Sequence, residues 1–214
     1  LALLGIGAAA LAAAPAAGAE ETVPDRRTGK YADRFPNLHL VTQDGMPVRF
    51  YDDLLRDRVA IVNFMYTDCG EGCPLVTANL AELHRRLGPR VGRDILMLSI
   101  TLTPEMDTPE MLSAYAARFG GLRPGWFYLT GEGPTASKAG IEKLRRAMGV
   151  YDRDPVLDAD KSTHAGLITV GNDRTDQWRA LPAMFTVIRF NFGGFMAGLF
   201  FSAILVGLGF LQAL

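Results

Sequence analysis

The chain has 214 residues, enough for one domain with appendages and too short for two domains of ordinary size. Its 22 basic residues balance 23 acidic ones, for a formal net charge of −1, and no basic block stands out, so nucleic-acid binding has no electrostatic support in the sequence. Only two cysteines are present, too few for a small scaffold held by disulfides, and their closeness at Cys69 and Cys73 marks a metal or redox pair instead.

Residues 1–19 are almost entirely small and apolar and end in Ala17-Gly18-Ala19. This is the pattern of an export signal cleaved before Glu20, or of an uncleaved N-terminal anchor. Residues 20–37 are polar, charged and proline-containing, as a linker is. Leu38 to Val41 and Val48 to Phe50, joined through Asp44-Gly45, predict a β-hairpin. Val59 to Tyr66 is a continuous apolar run with β-branched residues, the mark of a central buried strand.

Val76, Leu80, Leu83 and Leu87 then fall at helical spacing, and Gly88-Pro89 ends that helix. Ile95 to Leu102 predicts a second buried strand. Thr108 as N-cap and Pro109 at the first helical position open another helix, with Leu112, Tyr115 and Phe119 on its buried face. Trp126 to Leu129 predicts a short strand. Ile141, Leu144 and Met148 mark a helix closed by Gly149. Leu167 to Val170 predicts a late strand, followed by turn residues Gly171-Asn172-Asp173. Strands alternating with helices predict an α/β layered fold with a largely parallel sheet core, over residues 38–183. Residues 192–214 carry no charge. They are long enough to cross a bilayer core of about 30 Å and include a Gly194/Gly198 pair, so they are expected to form a C-terminal transmembrane helix. Burial in the core is the alternative. Arg179 and Arg189, on the side expected to be extracytoplasmic, run against the positive-inside rule.

The chemistry concentrates in Cys69-Gly70-Glu71-Gly72-Cys73-Pro74, between a buried strand and a helix. The C-x-x-x-C spacing puts both sulfurs on one side of a helical turn. A helix N-terminus favours thiolate, the metal-binding and nucleophilic form. Gly70 and Gly72 are expected to relieve clashes in the loop. Two thiolates suit a soft ion such as Cu(I). Two other readings stay open: core cysteines without a role, and a purely redox dithiol, although exchange motifs usually have two intervening residues and this one has three.

A metal site needs a further ligand, and the chain has three histidines. His84 lies about 16 Å along the helix from Cys73, beside Arg85 and Arg86, on a face expected to be exposed. His39 belongs to the first hairpin. His164 stands at the mouth of the late strand, where a parallel sheet can bring it to a loop from another strand and so complete a Cys2His site.

Residues from about Phe35 to Trp178 resemble the SCO/SenC family. The resemblance rests on Thr42-Gln43-Asp44-Gly45, on Asn63-Phe64-Met65-Tyr66-Thr67-Asp68-Cys69 with Cys73-Pro74, and on Pro104-Glu105-Met106-Asp107-Thr108-Pro109-Glu110. It implies a thioredoxin-like fold, a mixed sheet flanked by helices with an N-terminal hairpin. It also implies copper bound by Cys69, Cys73 and one late-loop histidine. Lys161 occupies the usual histidine position, so His164, three residues on, is expected to take its place. Thr103 stands where the family often has Asp, and the family's C-terminal helix is missing after Trp178.

The expected function is that of a membrane-anchored, extracytoplasmic (periplasmic) copper chaperone. It would deliver copper to, or reduce the cysteines of, a CuA-bearing oxidase subunit. The alternatives are a thiol-disulfide oxidoreductase using Cys69 and Cys73, and a copper or redox sensor.

Overall fold

The structure, a computed structural model, describes residues 33–183 except 71, 121, 133–135 and 161–165. Strand β1 (His39–Thr42) turns back at Thr42–Met46 into β2 (Pro47–Arg49), as the Asp44-Gly45 turn signal predicts. A π-helical turn, Phe50–Leu55, leads into β3 (Val59–Met65). Helix α1 (Gly72–Leu87), β4 (Ile95–Thr101), α2 (Pro109–Phe119) and β5 (Trp126–Gly131) follow. The chain closes with α3 (Lys138–Ala147), the short α4 (Pro155–Ala159), β6 (Leu167–Asn172) and β7 (Gln177–Pro182).

Among the described residues, seven strands form one sheet in the order β2-β1-β5-β4-β3-β6-β7. Only β3, β4 and β5 are mutually parallel. Strand β1 joins β5, and β6 joins β3, antiparallel, so the sheet is mixed, as the family resemblance implies, and the parallel pairing expected from the alternation of strands and helices is confined to its centre.

Every residue of β3 and β4 is buried, because helices cover both faces and leave no polar side to expose. Alternation along β3 divides the core. Ala60, Val62 and Phe64 face a cluster closed by Phe50, Leu54, Ile141 and Leu144, from the π-helical turn and α3. Val59, Ile61 and Met65 face a second cluster closed by Val76 and Leu80 of α1 and Leu112 and Ala116 of α2. Cys69 and Cys73 belong to this second cluster. Two of the three polar residues of the strand pair, Asn63 and Ser99, satisfy each other. Trp126 Nε1–H donates to Ser99 Oγ at 2.9 Å, and the Ser99 hydroxyl donates to Asn63 Oδ1 at 2.7 Å, its register partner across the ladder.

Several expectations change. The domain begins before residue 38, the boundary expected for the linker: Phe35 is buried edge-on against Trp178, and Arg34 makes a 2.8 Å ion pair with Asp176. Strand β6 continues through Asn172, which moves the turn from Gly171-Asn172-Asp173 to Asp173–Thr175. Strand β7 has no apolar period to betray it, since it is an edge strand with almost no buried residue. Helix α4 is capped by Asp154, whose carboxylate accepts from Val156 N–H at 2.8 Å, and has Pro155 at its first position. It is held by Asp158, which meets the buried Arg145 guanidinium through two 3.0 Å hydrogen bonds. His84 is half-buried rather than free on an exposed face: its Nε2 lies 2.9 Å from Pro124 O and its ring stacks over Trp126.

The expected signal or anchor at residues 1–19, most of the linker and the expected span at residues 192–214 lie outside the described residues. Among the described residues no helix is long and apolar enough to cross a membrane.

A close backbone approach joins the loops before β4 and β5. Gly125 has φ +73°, and a Cβ there would lie 2.2 Å from Gly92 N. Gly125→Ala therefore combines left-handed strain with a backbone clash, and should lower unfolding free energy by about 3 kcal/mol in a urea titration.

Candidate metal centre

The cysteine loop leaves β3 at its C-terminal end and delivers the chain to α1. Cys69 N–H donates to Tyr66 O at 3.3 Å, and Cys73 N–H donates to Cys69 Sγ at 3.2 Å. The Cys69 sulfur thus satisfies one of the first-turn N–H groups that a helix leaves open. Both cysteines are free thiols, Cys69 8% exposed and Cys73 only 1%. The C-x-x-x-C spacing therefore does bring both to one turn, at the rim of the second core cluster. The glycines matter less than the sequence suggests. A Cβ at Gly70 would meet nothing within 4 Å, one at Gly72 would rest 3.9 Å from Cys69 Sγ, and neither residue has positive φ.

Electrostatics also depart from expectation. The helix N-terminus favours thiolate, yet the Cys73 thiol is pushed up from its ordinary value. Burial is the largest cause, followed by the hydrogen bond with Cys69 and the nearby charge of Asp107, and only the Tyr66 backbone opposes them. Apolar surroundings outweigh the dipole here. Tyr66 is pushed up to about 12 by burial, by a hydrogen bond with the Cys69 sulfur, and by the charges of both cysteines and Asp160. Without a metal, Cys73 is thus held as a neutral thiol.

A residue that sequence reading passed over, quoted only inside a motif, holds this loop in place. Asp107 is 2% exposed. Its carboxylate accepts from Thr67 N–H at 3.2 Å, from the Thr67 hydroxyl at 2.5 Å, from the Thr103 hydroxyl at 3.1 Å and from the Thr101 hydroxyl. The segment after β4 is thereby fastened to the segment that carries Cys69. Thr103, where the resemblance leads one to expect Asp, supplies a donor to this carboxylate. The available signal was a cluster of hydroxyl residues, Thr67, Thr101 and Thr103, around one motif Asp.

His164 lies in residues 161–165, outside the described residues. The flanks of that segment are described. Strand β6 runs antiparallel to β3 with Ile168 opposite Asn63, so it enters the sheet beside the end of β3 from which the cysteine loop departs. On the other flank, Asp160 is near enough to Tyr66 for its charge to raise that phenol. Both flanks thus sit at the cysteine end of the sheet. His39 is exposed at the start of β1, and His84 is fixed to Pro124 near the far end of α1. Among the described residues, no cluster of three or more His, Cys, Asp or Glu could hold a metal ion.

The SCO1/SenC family model matches residues 27–173, well over half of the chain. The SCO1 protein homolog of Bacillus subtilis is 32% identical over 89 residues, which make up 42% of this chain and 45% of that protein. The chain spans about half the length of the curated relatives it matches, between 43% and 52%. Among solved structures, the fold is similar to that of a SCO1/SenC family lipoprotein from Bacillus anthracis, with a TM-score of 0.54 and 23% identity, over 70% of this chain and 84% of that one. It is also similar to BsSco, described as having a disulfide switch and as a member of the Sco family of cytochrome c oxidase assembly proteins. That match has a TM-score of 0.52 and 21% identity over 68% and 81% of the two chains. Yeast Sco1 with copper bound matches with a TM-score of 0.50 and 20% identity over 76% and 98%. At these identities the structural likeness establishes the fold: a mixed sheet with flanking helices.

The raised thiol sets a pH dependence with a definite sign. Above the usual thiol value of about 8.5, the unfolded chain loses the Cys73 proton while the folded chain keeps it. Fewer protons on the unfolded state mean that stability falls as pH rises, by up to about 1.4 kcal/mol per pH unit for one group. The reduced, metal-free protein should lose melting temperature between pH 8.5 and 10.5, and Cys73→Ser should lose less. Equal slopes in both proteins would remove Cys73 from the account.

Proposed function

Because the chain belongs to the SCO1/SenC family, we propose that it binds one Cu(I) through Cys69, Cys73 and His164 and hands it to a CuA-bearing oxidase subunit. The observation that carries this reading is the pair of free thiols at one helical turn, at the end of the sheet where both flanks of residues 161–165 arrive.

The donor chemistry fits a soft monovalent ion. Thiolate and imidazole suit Cu(I), whereas Lys161, protonated near neutral pH, has no lone pair to donate. Copper enters as cargo. Its binding displaces the thiol protons, and its charge compensates the Cys73 thiolate that burial otherwise disfavours. Cys69, the more exposed of the two, is the sulfur a partner's ligand reaches first. Transfer proceeds by ligand exchange, with Cys73 held until last. The proposed setting is the extracytoplasmic face of a membrane, with the chain anchored by an apolar terminal segment. The same thiols could instead exchange electrons with the cysteines of the acceptor, and the experiment below separates the two.

Reduced full-length protein loaded anaerobically should hold about one Cu(I) per chain, and Cys69→Ser/Cys73→Ser none. His164→Ala should weaken copper binding by more than about tenfold, given that losing even a hydrogen-bond partner of a metal ligand costs about 10–100-fold. X-ray absorption should show two sulfur scatterers and one nitrogen scatterer in the wild type, with the nitrogen gone in His164→Ala. A chain that takes up no copper yet cycles between dithiol and disulfide would be an oxidoreductase.

A further inference from the structure

We propose that a cleft at the opposite end of the sheet from the cysteines is a binding site for a phosphate-bearing anion. The cleft has a volume of about 360 Å³ and is built from three separate stretches of chain. Arg56 and Arg58 precede β3, Arg90 and Arg93 precede β4, and Arg174 sits in the turn between β6 and β7. All three stretches meet where β3 begins, at the register Val59 with Ile95 and Val59 with Asn172. Strand β3 spans seven residues at about 3.3 Å each, so the cleft stands about 20 Å from the cysteine loop and is a separate site.

Five guanidinium groups line this cleft against two carboxylates, those of Asp57 and Asp94. Asp94 is engaged by Arg90 at 2.9 Å and Arg93 at 3.1 Å, and Arg56 is paired with Asp52 behind the lining. The side chains of Arg58 and Arg174 are exposed and have no carboxylate partner among the described residues. With Asp52 set against Arg56, the cleft carries an excess of two positive charges, and Arg58 and Arg174 supply two forked donors from neighbouring stretches of chain.

The frame beneath them is rigid. Asp173, 6% exposed, accepts from Asp57 N–H at 3.0 Å and from the Tyr51 hydroxyl at 3.2 Å, and its own N–H donates to Arg58 O at 3.0 Å. These bonds join the stretch before β3 to the turn that carries Arg174. They also hold Asp57 in a left-handed conformation, φ 58°, a strained state for a residue with a side chain. The walls are thus set before any ligand arrives, which lowers the ordering cost of binding.

Planar guanidinium forks match phosphate oxygens in pairs, and a multiply charged phosphate uses the two-charge excess where a single carboxylate would leave half of it unmatched. A volume of this size admits a phosphoryl group with a small organic body. That chemistry has two sources, a phospholipid headgroup and a free phosphate compound.

The test is calorimetric titration of the full chain in neutral maltoside micelles, at a salt concentration of about 0.15 M, where the screening length is about 8 Å. Pyrophosphate is the first probe. Dihexanoyl phosphatidic acid, with dihexanoyl phosphatidylcholine as its zwitterionic control, is the second. Pyrophosphate should bind once per chain, and R58Q/R174Q should weaken it by roughly tenfold or more while leaving the melting temperature and copper content unchanged. R118Q/R153Q, the same charge change elsewhere, should leave the affinity as in the wild type. Phosphatidic acid binding that R58Q/R174Q also abolishes identifies a headgroup site. Pyrophosphate binding without it identifies a site for a free phosphate compound. Either result supports the proposal. The absence of saturable binding by both probes overturns it, as does equal weakening in the two double variants.

Discussion

Burial of β3 and β4 on both faces is the constraint from which the rest follows. Seven consecutive buried residues in each strand leave little room for polar chemistry along the strands themselves, apart from the self-satisfied Asn63-Ser99-Trp126 chain and Thr101, whose hydroxyl donates to Asp107 at the strand's end. Chemistry is confined to the two ends of the parallel pair. At the C-terminal end the cysteine loop must leave a fully buried strand and enter a helix within six residues. Its backbone groups there are satisfied locally, by Tyr66 O and the Cys69 sulfur, and by one carboxylate from the neighbouring strand's exit. Asp107 is consequently both a solution to a burial problem and the part that fixes where Cys69 stands. A carboxylate that accepts four hydrogen bonds is well compensated for its desolvation, whereas the same group with one partner would not be.

The thiols face the opposite balance. Cys73 sits in the core cluster of α1 and α2, and burial drives its titration upward despite the helix N-terminus below it. Cys73 is therefore held as a neutral thiol, and a cation bound beside it would favour its thiolate. A monovalent ion with two thiolates leaves a single net negative charge, far cheaper to bury than two uncompensated thiolates. The environment that raises the thiol is therefore the one that makes occupancy by a soft cation the way to ionise it. Cys69 is the more exposed of the two cysteines.

Legibility in the sequence follows the same division. Elements with strong periodicity or a punctuating residue were readable: β3 and β4 as apolar runs, α1 from Val76 and Leu80, α2 from Thr108-Pro109, whose cap accepts from Met111 N–H at 3.4 Å. The Cys69–Cys73 pair was readable because its spacing is local. Strand β7 was not, since an edge strand needs no apolar face. Asp107 was not assigned a role, because its partners Thr67 and Thr101 are separated from it by 40 and 6 residues and meet it only through strand pairing. The titration of Cys73 was not, because burial depends on which helices cover the sheet. The antiparallel insertion of β6 was also hidden, and that insertion is what brings the flanks of residues 161–165 to the cysteines.

The arginine cleft shows most plainly what topology adds to composition. With basic and acidic residues nearly equal in number and no basic block, the chain presents no electrostatic signal in one dimension. Arg58, Arg90 and Arg174 stand more than thirty residues apart from one to the next, yet each lies just outside a strand of the central ladder. A parallel pair aligns its N-terminal ends, so the residue before β3 and those before β4 share one edge of the sheet, and the antiparallel β6 brings its exit turn to the same edge. Dispersed charges thus become one patch by the operation that gathers the cysteine loop, the β4–α2 loop and the entry to β6 at the other edge. The sheet sorts its loops into two sets with different chemistry, one bearing the soft thiols together with carboxylates such as Asp68 and Asp107, the other hard and cationic. The same sorting separates them electrostatically, because about 20 Å is more than two screening lengths at about 0.15 M salt, so surface charge at the arginine edge scarcely biases the thiols.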